Sequence, residues 1–196
     1  MKIGITTFLG CMILAAAALA QPMTFTVLGG EGNRIQFESK APLETVTGTT
    51  DKVSGMISLD PADLGAGVSA AISVDAASIK TGNGMRDGHM RDNHLQTKEF
   101  PEIKFTLDNF ALEGALQPGV ARSCTVTGEF ALHGVTHTIS LPVEVTYIPS
   151  DTVKKIRVAG HFSVSLADYN IPRPQFLVMR LDDVQKITVD FWGMAQ

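Results

Sequence analysis

Any chemistry in this chain of 196 residues would have to come from a short inventory: five histidines, two cysteines and two adjacent arginine–aspartate pairs. The pairs, Arg86-Asp87 and Arg91-Asp92, are the most distinctive polar features. A guanidinium beside a carboxylate can orient the polar head of a ligand at the mouth of a pocket. It can equally pin a short helix through ion pairs and hydrogen bonds. Both readings are open for Arg86 and Asp87. The histidines stand at His89, His94, His133, His137 and His161. A zinc site takes three or four ligands, each oriented by a further hydrogen bond. His89 and His94 are five apart, which puts them on different faces of a helix. His133 and His137 are four apart but flank a strand turn. No metal site follows from this spacing.

Nucleophiles fare no better. Cys124 lies mid-strand on an apolar face, where burial raises a thiol pKa and leaves it inert. There is no Gly-x-Ser-x-Gly elbow. Gly29-Gly30-Glu31-Gly32 lacks the Lys-Ser/Thr ending and the helix of a phosphate-binding loop, so it reads as a turn. No catalytic residue is assigned, no cofactor is expected, and the chain is read as a non-enzyme.

The elements that must position these residues are strands. Residues 1–20 stand apart: Lys2 is followed by an apolar run to Leu19, and Ala18-Leu19-Ala20 supplies the small residues of a signal-peptidase site. The run is too short and too glycine-broken to span a bilayer. Cleavage after Ala20 leaves 21–196 as one domain, large enough to bury a core without disulfides. Cys124 is then its lone cysteine. The net charge of −4 and the lack of clustered Lys and Arg speak against nucleic acid as a partner.

From about residue 35 the sequence alternates with period two, the strand signature. Val120, Cys124, Val126, Phe130 and Leu132 share one face of a run, interrupted by Arg122 and Gly128. His137, Ile139, Leu141, Val143, Val145 and Tyr147 share a face of the next. His133-Gly134-Val135-Thr136 joins them as a hairpin. Similar runs surround Phe37, Ile57, Ile72, Phe105, Phe162 and Ile187. Turn signals at Asp60-Pro61, Gly65-Ala66-Gly67 and Pro118-Gly119 separate them. About eight strands with short connections make an all-β antiparallel sandwich or barrel.

Two stretches break the alternation. Residues 81–100, TGNGMRDGHMRDNHLQTKEF, read as one or two helical turns near 83–95, capped by Asn83. In 168–180, Pro172 and Pro174 exclude a central strand. The contiguous Phe176, Leu177, Val178 and Met179 suggest an edge-covering loop or an entrance rim.

These residues carry a resemblance. Thr81-Gly82-Asn83-Gly84-Met85-Arg86-Asp87-Gly88-His89-Met90, followed by Phe100-Pro101-Glu102-Ile103-Lys104-Phe105, resembles the T-G-N-x-x-R-D-x-H-L … F-P-x-I-x-F signature of the YceI-like family. Gly128-Glu129-Phe130 through Gly134-Val135-Thr136-His137 is similar to its second signature, and Val53-Ser54-Gly55-Met56-Ile57 to an earlier strand. Leu166-Ala167-Asp168-Tyr169-Asn170 departs from the family's Arg-x-Asp/Glu-Phe-Gly. The resemblance implies an exported, periplasmic protein with a lipocalin-like antiparallel barrel. Its apolar tunnel would hold a polyisoprenoid chain, such as a polyprenyl phosphate or a quinone tail.

An eight-stranded barrel either fills with side chains or leaves room for one ligand. If it is open, the wall candidates are Phe37, Ile57, Ile72, Met85, Met90, Leu95, Phe105, Phe130, Leu132, Leu141, Phe162 and Val164, with Arg86 and Asp87 at the mouth. The partner is then an isoprenoid lipid or a similar apolar ligand. A transient membrane contact and a homodimer are both compatible with that reading. The alternatives are a filled barrel serving as a structural or interaction module, and an enzyme acting on a small hydrophobic substrate.

Overall fold

The computed structural model describes residues 22–42, 44–176 and 179–195. The expected signal segment lies outside them, as do Leu177 and Val178. The strands are β1 (Met23–Val27), β2 (Arg34–Lys40), β3 (Thr45–Thr50), β4 (Val53–Leu59), β5 (Val68–Asp75), β6 (Glu102–Phe110), β7 (Ala121–Leu132), β8 (Val135–Ile148) and β9 (Lys154–Ser165). A small hairpin of β10 (Gln175–Phe176) and β11 (Met179–Arg180) stands outside the main sheet, and β12 (Val184–Ala195) follows. A single short helix among the described residues, α1 (Gly84–His89), runs into a π-helical turn, Met90–His94.

The main sheet is antiparallel throughout and closes on itself. Its order is β1-β4-β5-β6-β7-β8-β9-β12, and β12 pairs back onto β1. β2 also lies along β12, from Lys186↔Glu38 to Asp190↔Arg34, while β1 takes the next part, Gly193↔Val27 and Met194↔Thr26. Laid end to end, β1 and β2 are one barrel strand looped out at 28–33. Across from them, β3 and β4 are a second strand, broken at 51–52. The barrel therefore has eight strands, as the alternation suggests, with the first two interrupted. The outer side of β3 is the exception to full pairing, held only by a single bridge, Thr49↔Lys80.

Two of these strands escape a reading of apolar alternation. In β3, TVTGTT, the inward residues are Val46, Gly48 and Thr50, all buried. Only one of the three is a large apolar residue. β1 buries Phe25 and Val27 but is five residues long. The hairpin turn is also tighter than the four residues expected. Leu132 pairs Val135, so only His133 (φ 51°) and Gly134 (φ 75°) turn the chain. Two positive φ angles make the two-residue turn that matches strand twist, and glycine takes one of them without strain.

The connections sort to two ends. At one end lie the 133–134 turn, the 166–183 segment, the 41–44 turn and the helical insertion between β5 and β6. At the other lie the 60–67, 111–120 and 149–153 loops. The buried core divides in the same way. One cluster, with Phe25, Leu64, Leu116, Tyr147 and Ile156, fills the loop end, and a smaller one, with Phe130, Leu132, Leu166, Tyr169 and Ile171, sits beneath the insertion.

Candidate functional site: an apolar tunnel with one polar mouth

Between the two core clusters the inner faces of the strands do not meet. They enclose a continuous cavity of about 570 Å³, within the roughly 300–1,000 Å³ usual for ligand pockets. A filled barrel would leave no such void, so that alternative does not describe this molecule.

All twelve residues expected on the wall border the cavity: Phe37, Ile57, Ile72, Phe105, Phe130, Leu132, Leu141, Phe162 and Val164 from strands, and Met85, Met90 and Leu95 from the insertion. Others of the same parity join them, among them Ile35, Val74, Leu107, Val126, Val143 and Val158. These carry the same period-two signal, and alternation offers no criterion for choosing among inward residues.

The mouth is built by the family-like signature. Asn83 caps α1: its Oδ1 accepts from the N–H groups of Met85 and Arg86, both at 3.1 Å. Asp87 is buried, and its Oδ1 accepts from the Thr81 N–H at 2.8 Å and the Thr81 hydroxyl at 2.6 Å. Burial pushes this carboxyl up, but the Thr81 hydrogen bonds, with Lys80 and Arg91 nearby, outweigh that and hold it below the usual carboxylate range. Arg86 donates from Nε to Thr81 Oγ1 at 2.9 Å and from Nη2 to Thr81 O at 3.2 Å. Its Nη1 lies 3.6 Å from Glu44 Oε1.

The two members of the pair therefore part company. Arg86 borders the cavity and stands where it can meet a ligand, whereas the Asp87 carboxylate is spent on Thr81. The structural reading of the pair accounts for Asp87, and both readings apply to Arg86.

His89 and His94 both border the cavity, contrary to the expectation that five residues would separate their faces. The cause is the π turn, in which the Leu95 N–H bonds Met90 O at 2.8 Å. A turn closed between i and i+5 brings residues five apart toward one side. His94 Nδ1 lies 2.9 Å from Pro172 O, which ties the insertion to the proline segment. The opening lies among Glu44, Met85 and His89: Met85 is 78 % exposed, and Glu44 and His89 reach the surface too, yet all three line the cavity. Ile171, Pro174 and Leu181 complete this rim, so part of the proline segment does lie at the entrance. His133 and His137 stay outside the cavity and hold that segment through Tyr169 O and Asp168 O, at 3.0 and 2.9 Å. Among the described residues no three metal-ligating side chains converge.

At the far end two loops are tied together. The Leu64 N–H bonds Gly114 O at 2.9 Å and the Leu116 N–H bonds Pro61 O at 2.7 Å, which knits the 60–67 and 111–120 loops together. Arg122, on the inward face of β7, donates from Nη1 to Ala115 O at 3.1 Å and from Nη2 to Glu113 O. Two residues on, Cys124 lines the cavity half-buried rather than fully enclosed. Burial pushes its thiol up, and Arg122 opposes this only in part. From Arg122 to Leu132 is ten residues of strand, roughly 33 Å at about 3.3 Å each. A tilt of 35–45° leaves roughly 25 Å along the barrel axis.

Comparison with known proteins agrees with this architecture. The YceI-like domain matches residues 27–191. A polyisoprenoid binding domain from Saccharophagus degradans is 18 % identical, with a TM-score of 0.68, over 89 % of this chain and 99 % of that one. BcnA of Burkholderia cenocepacia is 19 % identical, with a TM-score of 0.60, over 82 % and 95 % of the two chains. The YceI protein of Campylobacter jejuni is 19 % identical, with a TM-score of 0.63, over 78 % and 86 %. At these identities the likeness is one of fold. No curated protein is similar enough to count as a relative.

Proposed function

Since the chain belongs to the YceI-like family, we propose that it is a periplasmic binding protein that holds an apolar, chain-shaped ligand of the isoprenoid class. The ligand, of polyprenyl phosphate or quinone type, would occupy the barrel lumen and undergo no reaction there. The observation that carries this reading is the cavity itself, about 570 Å³ walled mainly by aliphatic and aromatic side chains, with Glu44, Arg86 and His89 at its mouth and Arg122 at its far end. The Saccharophagus domain of the same fold, described as polyisoprenoid binding, supports the ligand class. The charged n-region, apolar run and Ala18-Leu19-Ala20 support export.

The energetics suit a hydrocarbon chain. Each buried CH₂ contributes about 0.8 kcal/mol, so an isoprene unit gains on the order of 3 kcal/mol. Three or four units offset an association cost of about 4–15 kcal/mol without any polar anchor. Arg86, beside the opening, then offers a guanidinium to an anionic or carbonyl head group, secondary to the tail in affinity. A ligand this apolar travels between lipid phases, so brief contact of the mouth with a membrane belongs to the same reading.

The test is native mass spectrometry of the protein purified from its own periplasm. A co-purifying isoprenoid is expected, and delipidated protein should take it up again. Delipidated, folded protein that binds neither polyprenol nor quinone overturns the proposal.

A further inference from the structure

We infer that Arg122 is a length stop, setting how long a chain the tunnel accepts from the end remote from α1. The inference rests on the tunnel reading above and concerns a residue outside the mouth. Arg122 continues the inward face that carries Cys124, Val126, Phe130 and Leu132, and with them it borders the cavity. It is the point at which that apolar face becomes charged. Among the described residues no carboxylate lies within ion-pair distance of it, and its two defined hydrogen bonds go to the carbonyls of Ala115 and Glu113.

The guanidinium N–H groups that these carbonyls do not take need water or another polar partner. A hydrocarbon tail pressed against it would strip those contacts and supply none. Each methylene added to a ligand therefore gains burial until the tail reaches Arg122, and the next one gains nothing. The wall behind cannot simply yield. Leu112 and Leu116 line the cavity there, and their loop is bonded to the 60–67 loop at Leu64 and Pro61. The mouth behaves in the opposite way, because Glu44, Met85 and His89 already reach solvent and a protruding head group meets no barrier. One end of the tunnel is permissive and the other counts.

The experiment uses delipidated mature protein and a graded series of polyprenols competed against one another by native mass spectrometry. Wild-type protein should bind more tightly with each added unit up to a cutoff, then gain no more. In Arg122→Met the cutoff should move at least one isoprene unit longer, with affinity for that longer chain raised about tenfold or more. Affinities for chains well below the cutoff should stay within about twofold. Arg122→Gln, which keeps a donor for the loop carbonyls and removes only the charge, should shift the cutoff in the same direction. It serves if the methionine variant does not fold. Arg122→Lys should keep the wild-type cutoff. An unchanged cutoff in a folded Arg122→Met or Arg122→Gln protein overturns the length stop while leaving the tunnel reading intact. Wild-type protein that binds no polyprenol of any length removes the tunnel reading, and the stop with it.

Discussion

The ring of Phe37 lies against the backbone of Gly48 across the β2–β3 pair, so closely that a Cβ at position 48 would overlap Phe37 Cε1. Phe37 is a wall of the cavity, and the missing side chain opposite is what lets its ring stand back from the lumen. Gly48→Ala should therefore push Phe37 inward. Ligand affinity should fall by about tenfold or more, and Phe37→Ala in the same chain should restore it. Isothermal titration with a polyprenol reads both. A Gly48→Ala protein that binds as well as wild type contradicts this geometry.

Val126, buried halfway along the inward face of β7, offers a way to block the lumen without disturbing the surface. Val126→Phe places a ring into existing space rather than into a packed core, so the usual overpacking cost of about 1–3 kcal/mol should be largely absent. The melting temperature should stay close to wild type while lipid uptake is lost. Uptake undiminished in a folded Val126→Phe protein would show that the ligand lies elsewhere.

Acid should loosen the mouth through Asp87. Despite its burial, its carboxyl titrates below the ordinary range in the folded protein because of the Thr81 hydrogen bonds. Its stabilisation is thus complete above the unfolded value, about 3.9, and is lost as pH falls through the lower folded value. Asp87→Asn should cost about 1–3 kcal/mol at neutral pH, the worth of hydrogen bonds to a charged acceptor, and the gap to wild type should narrow below about pH 4. Thermal melts from about pH 2 to 7 measure this. A gap independent of pH would sink it.

Cys124 reports on occupancy. Its thiol is pushed up by burial and faces the cavity. A thiol-reactive dye should label it far more slowly in the folded protein than in the denatured chain at the same pH. A bound polyprenol should slow labelling further. Equal rates with and without lipid would place the ligand away from the Arg122 end of β7.

The His94–Pro172 contact predicts a kinetic effect. Only a ring N–H can bond a carbonyl oxygen, so Nδ1 carries the hydrogen. His94→Ala should free the insertion from the proline segment and speed lipid exchange several-fold, with a smaller change in affinity. Stopped-flow transfer to vesicles would detect it, and an unchanged exchange rate would show that this contact does not limit release.

Inward parity is legible in the amino-acid sequence: the nine strand candidates for the wall follow from period-two alternation, and all nine border the cavity. The Asn83 cap is legible as well, since Asn before a short polar helix has one strong use. Three things are not. β3 hides because Gly48 and Thr50 point inward, and neither looks apolar in a pattern. The shared side of His89 and His94 depends on a π turn, which no spacing rule for ordinary helices contains. Whether the lumen is filled depends on the sum of many side-chain volumes against the girth of the ring, and alternation carries no information about girth. The expected signal segment and Leu177-Val178 lie outside the described residues, so the proposal of export rests on the residue pattern of 1–20 alone.

β12, the last strand of the chain, holds β1 and β2, the first two, along one edge and β9 along the other. The ring cannot shut until Val184–Ala195 are available, whatever hairpins have formed between. The lumen therefore depends on pairings between strands far apart in the chain, and such pairings form late in folding. A polypeptide whose container rests on its most distant pairings acquires shape and capacity together.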